Sequence, residues 1–461
     1  MDVHGETIAA IATPVGRGGI GIIKISGPDA LAIAKRLFVP ARPSAEIAAR
    51  RLYLGHVIDT ETGRVLDQVL LSYMKAPFSY TGEDVVELNS HSGHLILTSI
   101  MQILLNQGAR LAEPGEFTFR AFMNGKMDLA QAEAVIDLIE ARSEKGLQIA
   151  SSHLAGAFSR EIEAIRVSVM GILARVEAAI DFPEEEEVEL KTDEIGEDLE
   201  RAVIYPLISL IECGEENRLS IAGALTAIVG RSNTGKSSLF NRLLKQQRAI
   251  VTSDPGTTRD MIESEIILDG LPIRLMDTAG IRVSFDKAEQ KGIEITEGTI
   301  LDADLLILVF DGSVPVQEED VDILERCRGK RLIAVLNKSD LPPVLGKNHI
   351  QELIPDATCV EVSALTGHGI EELRSAVIRD FKSRRNDVAY GHLAPNLRQT
   401  KALRSALQAC ERAGSELQKG SPAEITAFEL RGAIEHLGEI TGQGIGNDLL
   451  DEIFSRFCIG K

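Results

Sequence analysis

LTAIVGRSNTGKS, residues 225–237, runs from a short apolar β-type stretch, Leu225 to Val229, into Gly-x-x-x-x-Gly-Lys-Ser at Gly230, Gly235, Lys236 and Ser237. A helical pattern, Ser238 to Leu244, follows. Strand, glycine-rich loop and helix in that order are the context a phosphate-binding loop requires. The two glycines leave the backbone free to wrap N–H groups round a polyphosphate, and Lys236 supplies a cation for the terminal phosphates. Ser237 is the candidate Mg2+ ligand, and Asn233, Thr234 and Ser238 complete the loop's contacts.

Downstream motifs narrow the ligand to a guanine nucleotide. Asp277-Thr278-Ala279-Gly280 follows the apolar run Ile273 to Met276, which sets a carboxylate at a strand end for the Mg2+ shell and a glycine N–H near a γ-phosphate. Asn337-Lys338-Ser339-Asp340 ends the run Arg331 to Leu336. An aspartate there accepts from both nitrogen donors of guanine, a pair adenine does not offer. Ser363-Ala364-Leu365, after Ala357 to Val362, completes a base pocket. Each short motif alone is a weak signal. Four in this order, each at the end of a predicted strand, resemble a Ras-like P-loop GTPase domain.

Two oddities bear on hydrolysis. Many GTPases carry a water-orienting glutamine after Asp-x-x-Gly, but here the residue is Ile281, which cannot hydrogen-bond water. The carboxylates that follow, Asp286, Glu289 and Glu294, are the candidates, and chemistry alone does not choose among them. The second oddity is Asn233, paired with the segment Thr252-Ser253-Asp254-Pro255-Gly256-Thr257-Thr258. Thr258 is the natural second Mg2+ ligand. An Asn oxygen with loop carbonyls suits a monovalent cation beside the β- and γ-phosphates, stabilising transition-state charge. The alternative is that Asn233 braces the loop and Arg259 or Arg282 acts as an arginine finger.

The chain of 461 residues is too long for one core, and about 150 residues per domain suggests three domains. No stretch reaches the roughly 18 uninterrupted apolar residues of a membrane span. Asp2 and Glu6 precede any apolar run, so no secretory signal and a cytoplasmic location are expected. Cys213, Cys327, Cys359, Cys410 and Cys458 are scattered without a Cys-x-x-Cys, which argues against a disulfide framework and a zinc site. A net charge of −20 argues against a general nucleic-acid binder, so any RNA contact is local or shared with a more basic partner.

Residues 1–120 alternate β-branched runs with turns: Thr7 to Ala12, Gly21 to Ser26, Arg51 to Ile58, Gln68 to Met74 and Asp84 to Asn89. They are expected to form an N-terminal α+β domain. Within it Gly16 to Gly21 matches Gly-x-Gly-x-x-Gly, but Pro14 precedes it and the strand-like IIKIS follows. A turn between two strands is the better reading than a dinucleotide site. Met127 to Asp181 has no proline and carries apolar residues at helical spacing, so long helices are predicted. The acidic run Glu184 to Glu187 reads as a solvated loop. Helix resumes from about Ile195 to the phosphate loop, and again after Phe381. Ser421-Pro422-Ala423-Glu424 reads as a capping box with proline at the first helical position, and a last helix covers Asp448 to Phe457. The expected architecture is multidomain α/β plus α. It has an α+β domain at 1–120, a discontinuous helical domain at 121–222 and 384–461, and an inserted GTPase domain at 223–383.

Beyond the GTPase motifs, ATPVGRGGIGIIKISG, PFSYTGEDVVELNSHSG, EPGEFTFRAFMNGKMDLAQAEAV and the terminal CIGK resemble the MnmE (TrmE) family of bacterial tRNA wobble-uridine modification GTPases over nearly the whole chain. The resemblance implies a homodimer joined through the N-terminal domain, working with a flavin-dependent partner, MnmG (GidA), in a heterotetramer. It implies tRNA as substrate, with an aminomethyl or carboxymethylaminomethyl group installed at C5 of the wobble uridine. The carbon would come from 5-formyl- or methylene-tetrahydrofolate. Motif positions then assign K+ to Asn233, Thr252, Asp254 and Thr257, Mg2+ to Ser237 and Thr258, and the catalytic carboxylate to Glu289, with Lys236 on the phosphates. The folate site resembles Lys24, Glu87, Lys126 and the terminal Lys461, and Cys458 is expected to take part in the modification chemistry. Lys24 stands where relatives often have arginine, which keeps charge but not bidentate contact. A Cys458 prenylation signal does not fit, because Gly460 and Lys461 follow. The alternatives are an RNA-binding regulatory or ribosome-assembly GTPase without modification chemistry and a stand-alone folate-dependent transferase. The first would be expected to add a basic RNA-binding module; the second leaves the complete nucleotide site without a role.

Overall fold

The computed structural model describes residues 5–14, 16, 18–42, 46–141, 143–182, 191–245, 262–277, 300, 303–355, 357–382 and 393–461. These fall into two units, one of residues Met1–Ile139, Ser151–Pro206 and Lys401–Lys461, the other of Glu140–Ala150 and Leu207–Thr400. Among the described residues no helix is long and apolar enough to cross a membrane.

In the first unit a seven-stranded sheet comprises β1 (Ile8–Ile11), β2 (Gly21–Ser26), β3 (Phe38–Pro40), β4 (Leu52–Ile58), β5 (Val65–Met74), β6 (Val85–Ser90) and β7 (Arg110–Leu111), in the order β3-β4-β5-β6-β2-β1-β7. All pairs are antiparallel except β1 with β7. Strand alternation sorts the side chains into two faces. Ile23 and Ile25 of β2 and Val86 and Leu88 of β6 join one core with the helices α1 (Ala30–Leu37) and α2 (His94–Asn106). The intervening Lys24 and Glu87 are left for the opposite face. There Ile8 and Ala10 meet Phe117 of α3 (Glu116–Met123).

β1 pairs directly with β2, so Gly16 to Gly21 joins two antiparallel strands as expected and no helix follows it. Strand β5 starts at Val65, earlier than the expected Gln68, because a tight turn delivers the chain there. Asp59 Oδ1 accepts the Glu61 N–H at 2.9 Å, and Gly63 takes φ 70°.

The stretch expected as long helices is cut into α4 (Leu129–Glu140), α5 (Glu144–Leu154) and α6 (Ala157–Asp181). Gly156, at φ 78°, makes the second break, a left-handed geometry the absence of proline did not reveal. Helix Ala423–Thr441 packs along Ala157–Asp181, with Arg431 paired to Glu177 at 2.7 Å. The expected capping box does not form there. Pro422 occupies the N-cap position, and the Ser421 hydroxyl donates to Glu416 at 2.6 Å instead. The helix before the nucleotide segment carries a π turn, Glu200–Ile204, between α7 (Thr192–Leu199) and α8 (Tyr205–Ala222). Pro206 lacks the N–H that a regular α-helix would use at that point. The last helix, Asn447–Ser455, is held by Phe454, which packs on Phe119, Leu129 and Val135.

In the second unit β8 (Ala224–Val229), β9 (Ile262–Leu268), β10 (Leu271–Asp277), β11 (Leu305–Asp311), β12 (Leu332–Asn337) and β13 (Thr358–Glu361) form a sheet ordered β13-β12-β11-β8-β10-β9. Only β9 runs antiparallel to its neighbour. Every residue of β11 is buried. Leu305, Ile307 and Val309 join one core, and Leu306, Leu308 and Phe310 the other, as a parallel sheet covered on both faces demands. The carboxyl ends of β8, β11 and β12 therefore open at one edge of the sheet, where α/β folds bind ligands.

Candidate nucleotide-binding site

Loop Gly230–Gly235 leaves the end of β8 and enters α9 (Lys236–Lys245). Gly230 has φ 149°, Asn233 φ 64° and Gly235 φ 94°. A Cβ on Gly230 would stand 2.5 Å from the Val309 carbonyl, and one on Gly235 would fall on the Asn337 amide nitrogen. Both positions therefore demand glycine. The first turn of α9 has N–H groups without intrahelical partners, which suits an anion. Lys236 is 8% exposed, and its ammonium donates to the carbonyls of Gly230 at 2.6 Å and Arg231 at 2.8 Å. The cation is thus folded over the loop that would hold phosphates. Ser237 and Ser238 follow it on the same helical turn.

Both expected base-pocket motifs are tied to this loop. The Asn337 side chain, 2% exposed, donates to the Thr234 carbonyl at 2.8 Å and accepts from the Ala364 N–H at 3.0 Å. One amide so links the phosphate loop to the Ser363-Ala364-Leu365 turn. The Ser363 hydroxyl donates to Asp340 Oδ1 at 2.5 Å and accepts the Thr366 N–H at 3.1 Å, which fixes the carboxylate that would face guanine. Lys338, at φ 66°, donates to Asp311 Oδ2 at 2.6 Å.

Asp311 escaped the sequence reading. It ends β11 as Asp277 ends β10 and Asn337 ends β12. Its signal was the apolar run Leu305 to Phe310 breaking into Asp-Gly. Burial opposes its charge, but Lys338 and the Ser313 hydroxyl and N–H outweigh that and hold its carboxyl below the usual range.

Thr252, Ser253, Asp254, Pro255, Gly256, Thr257, Thr258, Thr278, Ala279, Gly280 and Glu289 lie outside the described residues, as do Arg259, Ile281, Arg282, Asp286, Glu294 and the acidic run Glu184 to Glu187. Of Asp277 only the backbone, the last residue of β10, is described. Among the described residues no group of three or more His, Cys, Asp or Glu could hold a metal. A Mg2+ ion here would rest on hydroxyl and phosphate oxygens, the hard donors it prefers.

A second polar cluster lies on the first unit's sheet. Lys24 and Glu87 are direct cross-strand partners, and the Lys24 ammonium stands 5.9 Å from the centre of the Tyr80 ring. Burial depresses the Lys24 pKa, Lys461 depresses it further and Glu87 opposes both. The tail reaches this place because the Phe117 N–H donates to the Lys461 carbonyl at 3.2 Å and the Gly115 N–H to the Cys458 carbonyl at 3.4 Å. Lys24, Glu87 and Lys461 are thus brought together, and the Cys458 side chain is exposed. Lys126 is exposed and donates to the Pro77 carbonyl at 3.0 Å, at the far end of the loop that carries Tyr80.

Arg120, fully buried, braces the same region and was not foreseen. It donates to Glu116 at 2.8 Å, to Glu83 at 3.0 Å and to the Glu6 carbonyl at 2.9 Å. Glu116 and Arg120 at i, i+4 in EFTFRAF were the available signal.

The family described as GTP-binding protein TrmE N-terminus matches residues 7–126, and that described as MnmE helical domain matches residues 129–458. The tRNA modification GTPase MnmE of Thermoanaerobacter pseudethanolicus is 41% identical over 463 residues, with 99% of each chain covered. The chain belongs to the MnmE family. Family proteins of the same name from Syntrophus aciditrophicus and Bacillus subtilis are 43% and 39% identical, covering 99% of this chain and 99% and 100% of their own. The MnmE helical match runs from one flank of the nucleotide-binding stretch to the other. A solved G domain, that of the T. maritima FeoB iron transporter, is 27% identical, covering 34% of this chain and 98% of its own at a TM-score of 0.28.

Proposed function

We propose that this MnmE-family chain is a K+-activated GTP hydrolase that drives tRNA modification. On this reading it works in the cytoplasm as a homodimer, in a heterotetramer with MnmG (GidA). The product is an aminomethyl or carboxymethylaminomethyl group at C5 of the tRNA wobble uridine, built with a tetrahydrofolate one-carbon unit. The domain plan that goes with it is an N-terminal domain at 1–120, a helical domain at 121–222 and 384–461, and a GTPase domain at 223–383.

One observation carries the reading: Asn337 hydrogen-bonds both the phosphate loop and the Ser363-Ala364-Leu365 turn, so phosphate and base contacts are parts of one site. In that site the loop N–H groups and Lys236 bind the β- and γ-phosphates, and Asp340 selects guanine. Lys236 stabilises the charge that develops on the leaving phosphate oxygens. Ser237 and Thr258 would hold Mg2+, and Asn233, Thr252, Asp254 and Thr257 would hold K+. When bound, both cations neutralise charge on the transferring phosphoryl group. Glu289 would orient the attacking water in place of the glutamine that Ile281 replaces.

At the second cluster Lys24 and Lys461 offer positive charge to an anionic folate tail, Glu87 offers an acceptor to pterin N–H groups, and Lys126 borders the entrance. Cys458, on the same tail, would take part in the modification chemistry. The test is GTP turnover in KCl against NaCl at equal ionic strength, with nucleoside analysis of tRNA from cells carrying Lys236→Ala. K+ acceleration and loss of the wobble modification are expected. Equal rates in the two salts would remove K+ from the reading, and intact modification in the variant would remove the coupling.

A further inference from the structure

We propose that Arg242 is a positioning residue for guanine recognition, fixing the base loop to the helix that begins at the phosphate lysine. The proposal rests on the guanine-nucleotide reading of the site. Arg242 lies in α9, six residues after Lys236, so about 9 Å of rigid helix separates the two. Its guanidinium reaches the base loop with two donors: Nε to the Ala364 carbonyl at 3.2 Å and a terminal nitrogen to the Leu365 carbonyl at 2.5 Å. Gly367 makes room for it. A Cβ there would stand 3.3 to 3.5 Å from three guanidinium atoms, and the residue has φ 93°.

The contact has a consequence for recognition because a trans peptide points its C=O and N–H in opposite directions. Holding the Ala364 and Leu365 carbonyls toward α9 turns the Leu365 and Thr366 N–H groups away from it. Thr366 N–H indeed meets Ser363 Oγ, the hydroxyl that also grips Asp340. Leu365 is 79% exposed, so side-chain packing does little to hold this turn, and the guanidinium supplies the restraint. Asn337 ties the turn to the phosphate loop from one side, and Arg242 ties it to α9 from the other. The distance between base grip and phosphate grip is thereby set by a rigid element.

The test uses the full chain and compares wild type, Arg242→Ala and Arg242→Lys. Equilibrium affinity and off-rate of a fluorescent GDP report the whole site, and competition by inorganic pyrophosphate reports the phosphate grip alone. Arg242→Ala should weaken GDP by about tenfold through a faster off-rate, the equivalent of losing one to two charge-assisted hydrogen bonds. Pyrophosphate affinity should stay within about twofold. Arg242→Lys should recover part of the loss, since an ammonium can serve one carbonyl but not both in a fixed fork. Unchanged GDP affinity in Arg242→Ala overturns the proposal. So does an equal loss of GDP and pyrophosphate, or of both in Arg242→Lys as well, which would mark a residue that merely holds the fold. Failure of wild type to bind any guanine nucleotide would instead remove the underlying reading of the site.

Discussion

Replacing Gly235 by Ala probes the joint between the phosphate loop and the base pocket. Gly235 has φ 94°, where an L side chain costs about 1–2 kcal/mol. The added Cβ would clash with the Asn337 amide nitrogen. Asn337 must move, and it would lose its bonds to the Thr234 carbonyl at 2.8 Å and from the Ala364 N–H at 3.0 Å. The φ strain appears as lost stability, and at about 1 kcal/mol net for each bond the lost joint comes to about 2 kcal/mol, or a roughly 30-fold loss of nucleotide affinity. Titration with fluorescent GDP measures it. Gly270→Ala is the control, because Gly270 also has positive φ, 77°, but a Cβ there meets nothing within 4 Å. The control should lose a little stability and keep its affinity within about twofold. If Gly235→Ala binds GDP as tightly as Gly270→Ala, Asn337 is not the joint between the two grips.

Other substitutions separate the remaining parts. Asp340→Asn should trade guanine for xanthine nucleotides, because an amide donates where the carboxylate accepted; hydrolysis of XTP exceeding that of GTP is the expected result, and retained GTP preference would refute the pocket assignment. Glu116→Ala strips Arg120 and Arg110 of their shared carboxylate, at 2.8 and 2.6 Å, and should destabilise the first unit by about 3–5 kcal/mol, read as a lower thermal midpoint. Burial opposes the Glu116 charge, but Arg110, the Glu113 N–H and Arg120 outweigh it, so its folded pKa lies below the ordinary 4.5. Its stabilisation is therefore complete above that value and lost as pH falls through the lowered one, so the wild-type midpoint should drop more steeply in acid than that of Glu116→Gln. Lys24→Ala and Glu87→Gln should each weaken 5-formyltetrahydrofolate about 10- to 100-fold by calorimetry. Since burial and Lys461 lower the Lys24 pKa from 10.5, folate binding should also fall off at a less alkaline pH than free lysine would give.

What could be read in advance follows a physical divide. Gly230, Gly235, Asn337 and Asp340 were legible because their chemistry depends on type and local position: each belongs to a motif that follows an apolar run, and a strand end delivers that motif to one edge of the sheet. Strand β2 was legible for the same reason, since alternation in GIIKIS is a local property. Lys24, Glu87 and Lys461 were reached only through resemblance. Their meeting depends on β2 pairing with β6 in one register, Lys24 against Glu87, and on a tail seated by Phe454 against Phe119, contacts between segments well separated in sequence. The Ser421 cap failed on a competition no local rule weighs, because Glu416 one helix earlier took the hydroxyl. Asp311, Arg120 and Arg242 escaped for a related reason. A charged side chain is read from sequence as solvated by default, and only the fold reveals that Lys338, Glu116 or a pair of carbonyls stands ready to receive it. In this chain the groups assigned to a nucleotide were thus visible in the motifs, whereas the groups that hold them in place became visible only with the packing.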